Sequence, residues 1–168
     1  VEMDITFVAG IPASGKSTYC AQRTDAAFFS FDSWLLRHYG EPNVEKAGWR
    51  FINDKNGLNE YLDDVVRARK SVEGTDFYLD DGAVDRTRRK AIVAGLKERG
   101  IDHISCVYLL CSMYEAAERN IAREWPISRD NFYQACTRQE YPTEDEGFDS
   151  VKFVVTGGKS ENYGRYSR

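Results

Sequence analysis

Short apolar runs alternate along the chain with segments in which apolar residues recur every three to four positions. The runs predict strands at residues 5–9, 28–31, 77–79, 104–110 and 151–155. The periodic segments predict helices at residues 17–23, 58–73, 86–99, 114–123 and 130–139. Short connections between alternating strands and helices favour a parallel sheet with helices on both faces. We therefore expect an α/β fold.

Two segments depart from this alternation. Residues 34–56 are rich in aromatic side chains and are interrupted by glycines and a proline, which predicts irregular structure with short helices. Residues 156–168 combine glycine, serine and charge without any period, which predicts a flexible tail. A chain of 168 residues has the size of one ordinary domain. We expect that single domain to span residues 1–155.

Composition excludes several classes of protein. The chain is 42% hydrophobic and 30% charged, values that do not fit collagen-like or wholly disordered proteins. No apolar run approaches the ~20 residues that cross a bilayer, and we recognise no secretion signal, so we expect a soluble, intracellular protein. Four cysteines without a CxxC pair predict reduced thiols rather than a zinc site. The net charge of −4 disfavours a broad coating of nucleic acid but allows a local basic groove.

One motif stands between the first predicted strand and the first predicted helix. Residues 10–17 read GIPASGKS, which fits the phosphate-loop pattern GxxxxGK[ST]. The glycines let backbone N–H groups cradle phosphate oxygens, Lys16 can reach the β- and γ-phosphates, and the Ser17 hydroxyl can ligate Mg²⁺. The residues predicted to bind a nucleoside triphosphate here are Gly10, Ile11, Pro12, Ala13, Ser14, Gly15, Lys16, Ser17 and Thr18.

The rest of the chain favours a small kinase over other proteins with this loop. A GTPase normally supplies an NKxD sequence that reads guanine, and this sequence has none. A motor ATPase usually needs a larger core. A kinase needs a base for the acceptor hydroxyl and arginines for the transferred phosphate, and this chain offers candidates for both. The expected ligands are therefore ATP and Mg²⁺.

Asp32 is the candidate base. It follows the second predicted strand, and the carboxyl ends of parallel strands meet near the phosphate loop. A carboxylate there can accept the proton of an attacking hydroxyl. Alternatively, Asp32 caps a helix over residues 33–36, since aspartate is favoured at that position. Both interpretations stay open, and the phosphate loop favours the catalytic one.

Further charges follow the third predicted strand. Asp80 and Asp81 end it, and one of them could hold Mg²⁺ through water or bind the acceptor. Four cations at positions 86, 88, 89 and 90 then stand near the start of a helix, where each costs about 0.3–1 kcal/mol. This cost indicates an anionic ligand. A solvated charged face offset by Asp85 is the alternative.

Arg119 and Arg123 lie one helical turn apart. Their guanidinium groups can therefore converge on one anion such as a transferring phosphate. A surface ion pair between Arg119 and Glu115 is the alternative. The polar stretch around Pro126 then breaks the helix, and a mobile lid would hinge there.

Five features in order resemble the polynucleotide kinase family of P-loop kinases, over about residues 4–155. They are the phosphate loop extended to Thr18, Asp32, DGAV at 81–84 followed by two arginines, RNIAR at 119–123, and PTEDEGF at 142–148. The last two runs are the more specific ones. The resemblance implies a P-loop kinase fold with about five parallel strands and a small lid. It also implies transfer of the ATP γ-phosphate to a hydroxyl of a nucleic acid, most simply the 5′-OH of DNA or RNA.

The resemblance implies roles on the donor side. Lys16 would stabilise charge on the transferring phosphate, and Asp32 would be the general base. Arg123 would be the lid arginine that bridges the donor phosphates, with Arg119 beside it. Ser17 would bind Mg²⁺.

The acceptor side departs from the family pattern. Asp81 would lie at the acceptor, and Arg88 belongs to the basic cluster that an anionic ligand would explain. The usual Asp-Thr-Asn reads Asp81, Gly82, Ala83 here. The family arginine three residues after the base is Leu35, and Arg37 is the nearest candidate to substitute for it. We therefore expect Asp81, Arg88 and Arg37 to bind the acceptor.

Three other acceptors or roles remain open. The acceptor hydroxyl could belong to a hydroxymethylated pyrimidine in phage DNA, because the chain also resembles P-loop kinases that modify such bases. It could belong to a small metabolite, or the chain could be a nucleotide-binding module without turnover. The aromatic residues that could stack on bases, or simply form core, are Phe31, Trp34, Trp49 and Phe51.

Overall fold

The computed structural model describes residues 2–156, and each of the five predicted strands is present. They are β1 (Asp4–Ala9), β2 (Ala27–Ser30), β3 (Phe77–Asp80), β4 (His103–Leu110) and β5 (Ser150–Val155). The strands form one sheet in the order β2-β3-β1-β4-β5, and every neighbouring pair is parallel. The predicted α/β fold with a five-stranded parallel sheet is confirmed. Because β1 is central, the segment after it leaves the middle of the sheet.

Seven α-helices connect these strands within residues 2–156. They are α1 (Lys16–Ala21), α2 (Phe31–Tyr39), α3 (Val44–Asn53), α4 (Gly57–Lys70), α5 (Arg86–Glu98), α6 (Met113–Ile121) and α7 (Arg129–Thr137). In this described part of the chain, none of the helices combines the length and the apolar character needed to span a bilayer.

Alternate residues of β1 serve two cores on opposite faces of the sheet. Ile5 and Phe7 belong to the larger core, which also holds the apolar faces of α4 and α5. Val8 packs in the smaller core with Tyr19 and Cys20 of α1. Helices thus cover both faces, as the P-loop kinase fold requires.

The segment that we expected to be irregular with short helices contains two helices and is more regular than predicted. Ser30 caps α2 by accepting a hydrogen bond from the Ser33 amide at 3.3 Å. Asn43 caps α3 by accepting from two backbone amides, and Gly40 ends α2 with a φ of 64°. The glycines and the proline that interrupt the sequence therefore separate two capped helices, and α3 tolerates an internal Gly48.

Two turns lie at the amino edge of the sheet, opposite the phosphate loop. Gly74 precedes β3 and Gly100 precedes β4, with φ values of 74° and 92°. A Cβ atom at either glycine would meet no atom within 4 Å. These turns therefore project away from the packed body of the protein.

The end of β5 is bound to the phosphate loop. Thr156, the first residue of the predicted flexible tail, donates its hydroxyl to the Ser14 carbonyl at 2.6 Å and its amide to the Leu110 carbonyl at 2.8 Å. This residue is therefore held in place. The remainder of the predicted tail lies outside the described residues, and the single-domain boundary stays a prediction.

Candidate active site

A cleft of about 1070 Å³ opens at the carboxyl edge of the sheet. Its walls come from the phosphate loop, the end of β3, helices α2 and α3, and the segment from α6 to α7. The predicted site residues that line it are Pro12, Ala13, Gly15, Lys16, Ser17, Thr18, Asp32, Asp81, Arg88, Arg119 and Arg123.

Three predicted residues shape the phosphate loop from behind instead of lining the cleft. The Ser14 amide donates to the Ile11 carbonyl at 3.1 Å, which closes the turn. A Cβ atom at Gly10 would lie 2.7 Å from the Ser14 hydroxyl and 3.1 Å from the Leu109 carbonyl oxygen. Glycine is required at position 10 because of this close approach. Gly10, Ile11 and Ser14 therefore act through the backbone shape of the loop.

Arg37, which we expected to bind the acceptor, does not line the main cleft. Arg37 lines a separate, shallower cavity beside Phe29 and His38. Leu35, two residues earlier on α2, faces the main cleft. Residues two apart on a helix point in nearly opposite directions, so Arg37 cannot replace a side chain at position 35.

Lys16 is the cation of the phosphate loop. Its Nζ donates to the carbonyl oxygens of Gly10 and Ile11 at 3.3 and 3.0 Å. Burial lowers the pKa of this ammonium group, and the nearby carboxylates Asp80 and Asp32 act in the opposite direction. The same ammonium therefore contacts the loop and feels charges on the other side of the cleft.

Ser17 and Asp80 bring two oxygen atoms together beside Lys16. The Ser17 hydroxyl donates to Asp80 Oδ2 at 2.8 Å, and Asp80 is 6% exposed. Burial raises the pKa of Asp80, while Lys16 and the hydrogen bond from Ser17 lower it. Hydroxyl and carboxylate oxygens are the ligands that Mg²⁺ prefers, so these residues fit a magnesium site. The sequence indicated Asp80 only as one of two adjacent aspartates.

Asp32 lies in the first turn of α2 and opens into the cleft. Ser30 fills the capping position, so the alternative in which Asp32 caps the helix does not apply. Asp32 is exposed to solvent in the open cleft, and desolvation by the surrounding walls still raises the pKa of its carboxyl, whereas Lys16 and Arg123 act in the opposite direction. Asp32 therefore faces the cationic groups of the donor side.

Asp81 is held inside a network and reaches the cleft beside Arg88. The carboxylate is fully buried and accepts hydrogen bonds from the Tyr61 hydroxyl at 2.8 Å and from Arg88 Nη2 at 3.0 Å. The Arg88 guanidinium lies 4.5 Å from the ring centroid of Phe31. Asp81 thus orients Arg88, and Arg88 is the cation of the basic cluster that lines the cleft.

Two other cations of the basic cluster, Arg86 and Arg89, have an anionic partner within the chain itself. Arg89 is fully buried and donates from Nε to Glu146 Oε1 at 2.7 Å and from Nη2 to the Glu140 carbonyl at 2.7 Å. Arg86 also lies 3.6 Å from the Glu146 carboxylate. The carboxylate of Glu146, 57 residues after Arg89, therefore contacts both cations. Glu146 belongs to the PTEDEGF run, which here has a structural role.

Arg119 and Arg123 line the cleft, and Arg119 contacts the phosphate loop. Arg119 donates to the Ala13 carbonyl at 3.4 Å, and it also lies 3.6 Å from Glu115, so the predicted surface pair is present as well. Arg123 follows α6 and acts electrostatically on both Lys16 and Asp32. The two arginines are thus placed over the same region of the cleft.

The predicted lid is the loop of residues 122–128 between α6 and α7. Asn120, between the two arginines, holds this loop in place. Its buried amide donates to the Ile127 carbonyl at 2.8 Å and accepts from the Ile127 amide at 3.0 Å. These two bonds close the loop that joins α6 to α7. The RNIAR run identified in the sequence contains Asn120, but the spacing of apolar residues did not predict that its amide would bind the loop after α6.

Glu45 of α3 joins the lid to the opposite wall. Its carboxylate accepts hydrogen bonds from the Ser128 amide and from Asn131 Nδ2, the latter at 2.9 Å. Ser128 and Asn131 lie at the start of α7. The lid is therefore held across the cleft by one side chain from the far wall.

Replacing Glu45 with alanine is expected to loosen the lid. A hydrogen bond to a charged group contributes about 1.5–3 kcal/mol, which corresponds to roughly 10- to 100-fold more frequent opening. Amide hydrogen exchange over residues 122–131 should accelerate by that factor, while exchange in α4 stays unchanged. The exposed neighbour Lys46→Ala serves as the control. Equal exchange rates in both variants would show that Glu45 does not hold the lid.

Comparisons with known proteins agree with this fold. A family model described as an AAA domain matches residues 5–136. A comparison with curated protein sequences finds no match for this chain. Among solved structures, a sugar kinase from Janibacter sp. HTCC2649 is 18% identical, with 98% of this chain and 91% of that chain covered and a TM-score of 0.59.

Two further solved structures are similar. A gluconokinase from Sinorhizobium meliloti 1021 is 17% identical, with 98% and 89% of the two chains covered and a TM-score of 0.57. Kti12 from Chaetomium thermophilum, solved in complex with ADP-AlF3, is 15% identical, with 96% and 94% covered and a TM-score of 0.58. Identities this low show a shared fold alone, so the resemblance to polynucleotide kinases stays a prediction. The family match and the phosphate loop together show that the chain belongs to the AAA domain family, as a P-loop nucleotide-binding, kinase-like domain.

Proposed function

We propose that this protein transfers the γ-phosphate of ATP to a hydroxyl of a nucleic acid, most simply the 5′-OH of DNA or RNA. The observation that carries the proposal is that Lys16 and Asp32 line the same cleft and interact electrostatically. A phosphate-loop lysine marks where the γ-phosphate lies, and a carboxylate opposite it can accept the proton of an attacking hydroxyl.

The proposed step uses groups that already line the cleft. Asp32 takes the proton of the acceptor hydroxyl while that oxygen forms a bond to the γ-phosphorus. The bond between the γ-phosphorus and the β–γ bridging oxygen breaks, and ADP leaves with the electron pair. Lys16 and Arg123 balance the negative charge that spreads over the transferred group. Arg119 supports the donor side from its contact with the phosphate loop.

Ser17 and Asp80 are the residues that would hold Mg²⁺ in this protein. Their oxygen atoms lie 2.8 Å apart at the foot of the phosphate loop. A bound Mg²⁺ ion would neutralise charge on the triphosphate. The protein itself keeps the Ser17 and Asp80 oxygen atoms oriented, because the buried Asp80 side chain has little freedom to move.

The nucleic-acid acceptor rests on the resemblance of the RNIAR and PTEDEGF runs to polynucleotide kinases. Asp81 and Arg88 lie on the acceptor side of Asp32, where Arg88 can contact an anionic group. The similar folds of a gluconokinase and a sugar kinase make a sugar hydroxyl the alternative that a test must include. The hydroxymethyl group of a modified pyrimidine is a second alternative.

A transfer assay tests the proposal directly. The protein is incubated with γ-labelled ATP, Mg²⁺ and an unphosphorylated oligonucleotide, and in parallel with gluconate or with DNA that contains hydroxymethylated pyrimidines. We expect label at the 5′ terminus of the oligonucleotide, removable by a terminal phosphatase. If label appears at internal positions, and only in the modified DNA, the acceptor is the hydroxymethyl group of the modified pyrimidine. Label in gluconate alone would contradict a nucleic-acid acceptor, and ATP binding without any transfer would contradict the enzymatic proposal.

A further inference from the structure

One wall of the cleft is apolar, and it belongs to α2 and α3. Trp49 and Ile52 line this wall although they are 60% and 72% exposed. Phe31, Leu35 and Val44 continue it towards the sheet. Exposed tryptophan inside a cleft is unusual, because most such side chains are buried in cores. The wall therefore offers a large apolar surface next to the proposed base.

The other aromatic residues that we considered for stacking are occupied by the core. Trp34 and Phe51 are 3% and 9% exposed, and their rings pack against each other at 5.9 Å between centroids. Phe31 packs on Tyr61 at 4.7 Å between ring centroids and lies under Arg88. Phe31 also lines the cleft but is partly buried beneath Arg88, so Trp49 is the most exposed of the four candidate rings.

Two charged side chains beside this apolar wall already have partners, whereas Asp32 on α2 faces the cleft as the proposed base. Glu45 accepts hydrogen bonds from the lid, and Arg88 donates to Asp81. A sugar or other polyol needs a hydrogen-bond partner for each buried hydroxyl, since an unpaired one costs about 1–3 kcal/mol. This wall suits a flat, weakly polar group better than it suits a polyol.

The wall also has room for such a group. Gly48 precedes Trp49 on α3 and lines the cleft, and a Cβ atom built on it meets no atom within 4 Å. The missing side chain leaves open space beside the indole. A planar ring can therefore approach the face of Trp49.

Given the proposed function, we infer that the nucleobase attached to the acceptor hydroxyl stacks on Trp49, with Ile52 beside it. Stacking of a base on an aromatic side chain tolerates any base, because every base has a π-face. Trp49 thus selects the substrate class, a nucleoside or nucleotide unit over a sugar, without reading its sequence. The same chemistry is present in free nucleosides and in polynucleotides.

A binding experiment with an inactive protein tests the stacking apart from catalysis. In an Asp32→Asn background, tryptophan fluorescence is followed while an unphosphorylated oligonucleotide is added. Trp49→Ala should raise the Kd by about 5- to 150-fold and remove most of the quenching, and Trp49→Phe should retain most of the affinity. Tyr114→Ala is the matched control, since Tyr114 is 81% exposed on α6 and lies outside the lining of the cleft.

Kinetics of the active enzyme give a second readout. Trp49→Ala should raise the KM for the oligonucleotide by the same factor and leave the KM for ATP unchanged. A free nucleoside is tested in parallel with the oligonucleotide. If Trp49→Ala raises the KM for both acceptors by a similar factor, Trp49 contacts only the base at the terminus of the oligonucleotide.

The possible failures are distinguishable. If the oligonucleotide is phosphorylated and Trp49→Ala changes neither its Kd nor its KM, the stacking is wrong and the proposed function stands. If the Asp32→Asn protein binds neither oligonucleotide nor nucleoside and the active enzyme labels gluconate, both are overturned. Filling the space with Gly48→Leu should weaken oligonucleotide binding, and unchanged binding would also contradict the inference.

Discussion

Replacing Asp32 with asparagine is expected to lower the rate of phosphoryl transfer by about 10²- to 10⁴-fold. The amide has nearly the same shape as the carboxyl but cannot accept the proton of the acceptor hydroxyl. Affinity for ATP should stay within a factor of about two, because the triphosphate is bound by the phosphate loop rather than by Asp32. The measurements are single-turnover transfer of label and a direct ATP titration.

A matched control separates chemistry from general charge effects. Asp25→Asn removes the same charge at an exposed position outside the cleft, and its transfer rate should equal that of the unchanged protein. An Asp32→Asn protein that loses ATP affinity and transfer to the same extent would instead assign a structural role to Asp32.

The dependence of transfer on pH follows from the same residue. Desolvation raises the pKa of Asp32, against the opposing effect of Lys16. The catalytic form is the deprotonated one, so transfer should fall as pH decreases through this raised pKa. The acid limb of the profile should therefore lie above the ordinary range for aspartate, near 3.9, and the residual activity of Asp32→Asn should lack that limb.

Replacing Glu146 with glutamine is expected to destabilise the protein by about 3–5 kcal/mol. The change leaves the Arg89 guanidinium buried without its counter-charge, although glutamine has nearly the same volume as glutamate. For a domain of this size the loss corresponds to a fall in Tm of about 6–20 °C. Thermal unfolding followed by circular dichroism measures it.

Two comparisons make this prediction specific. Arg67→Ala removes an exposed ion pair with Asp64, which should cost less than about 1 kcal/mol. The double variant Arg89→Met with Glu146→Leu removes both charges and should be more stable than Glu146→Gln alone. A double variant that is as unstable as the single one would show that packing, rather than an unpaired charge, causes the loss.

Local patterns predicted the parts of the fold that depend on local physics. Apolar runs located all five strands, including the partly exposed edge strands β2 and β5, and the phosphate loop was recognisable because glycine and lysine are required at fixed spacing. The helices α2 and α3 were underestimated. Their caps at Ser30 and Asn43 were visible in the sequence, but the glycines and proline nearby outweighed them.

Contacts between distant segments were outside the reach of such patterns. The cations near the start of α5 indicated a ligand because they oppose the helix dipole, whereas Glu146, 57 residues further along the chain, pairs with Arg89. Similarly, the tie between Glu45 and the lid joins segments 83 residues apart. Arg37 lies away from the main cleft for a simpler reason, since helical geometry separates its side chain from that of Leu35.

The two glycine turns at the amino edge of the sheet have a practical consequence. Gly74 and Gly100 project into open space at the end of the strands remote from the cleft. Short insertions are best tolerated at exposed turns of this kind. A fluorescent reporter or an affinity handle could therefore be attached there, so that nucleotide and acceptor binding are monitored without touching the groups that carry out the chemistry.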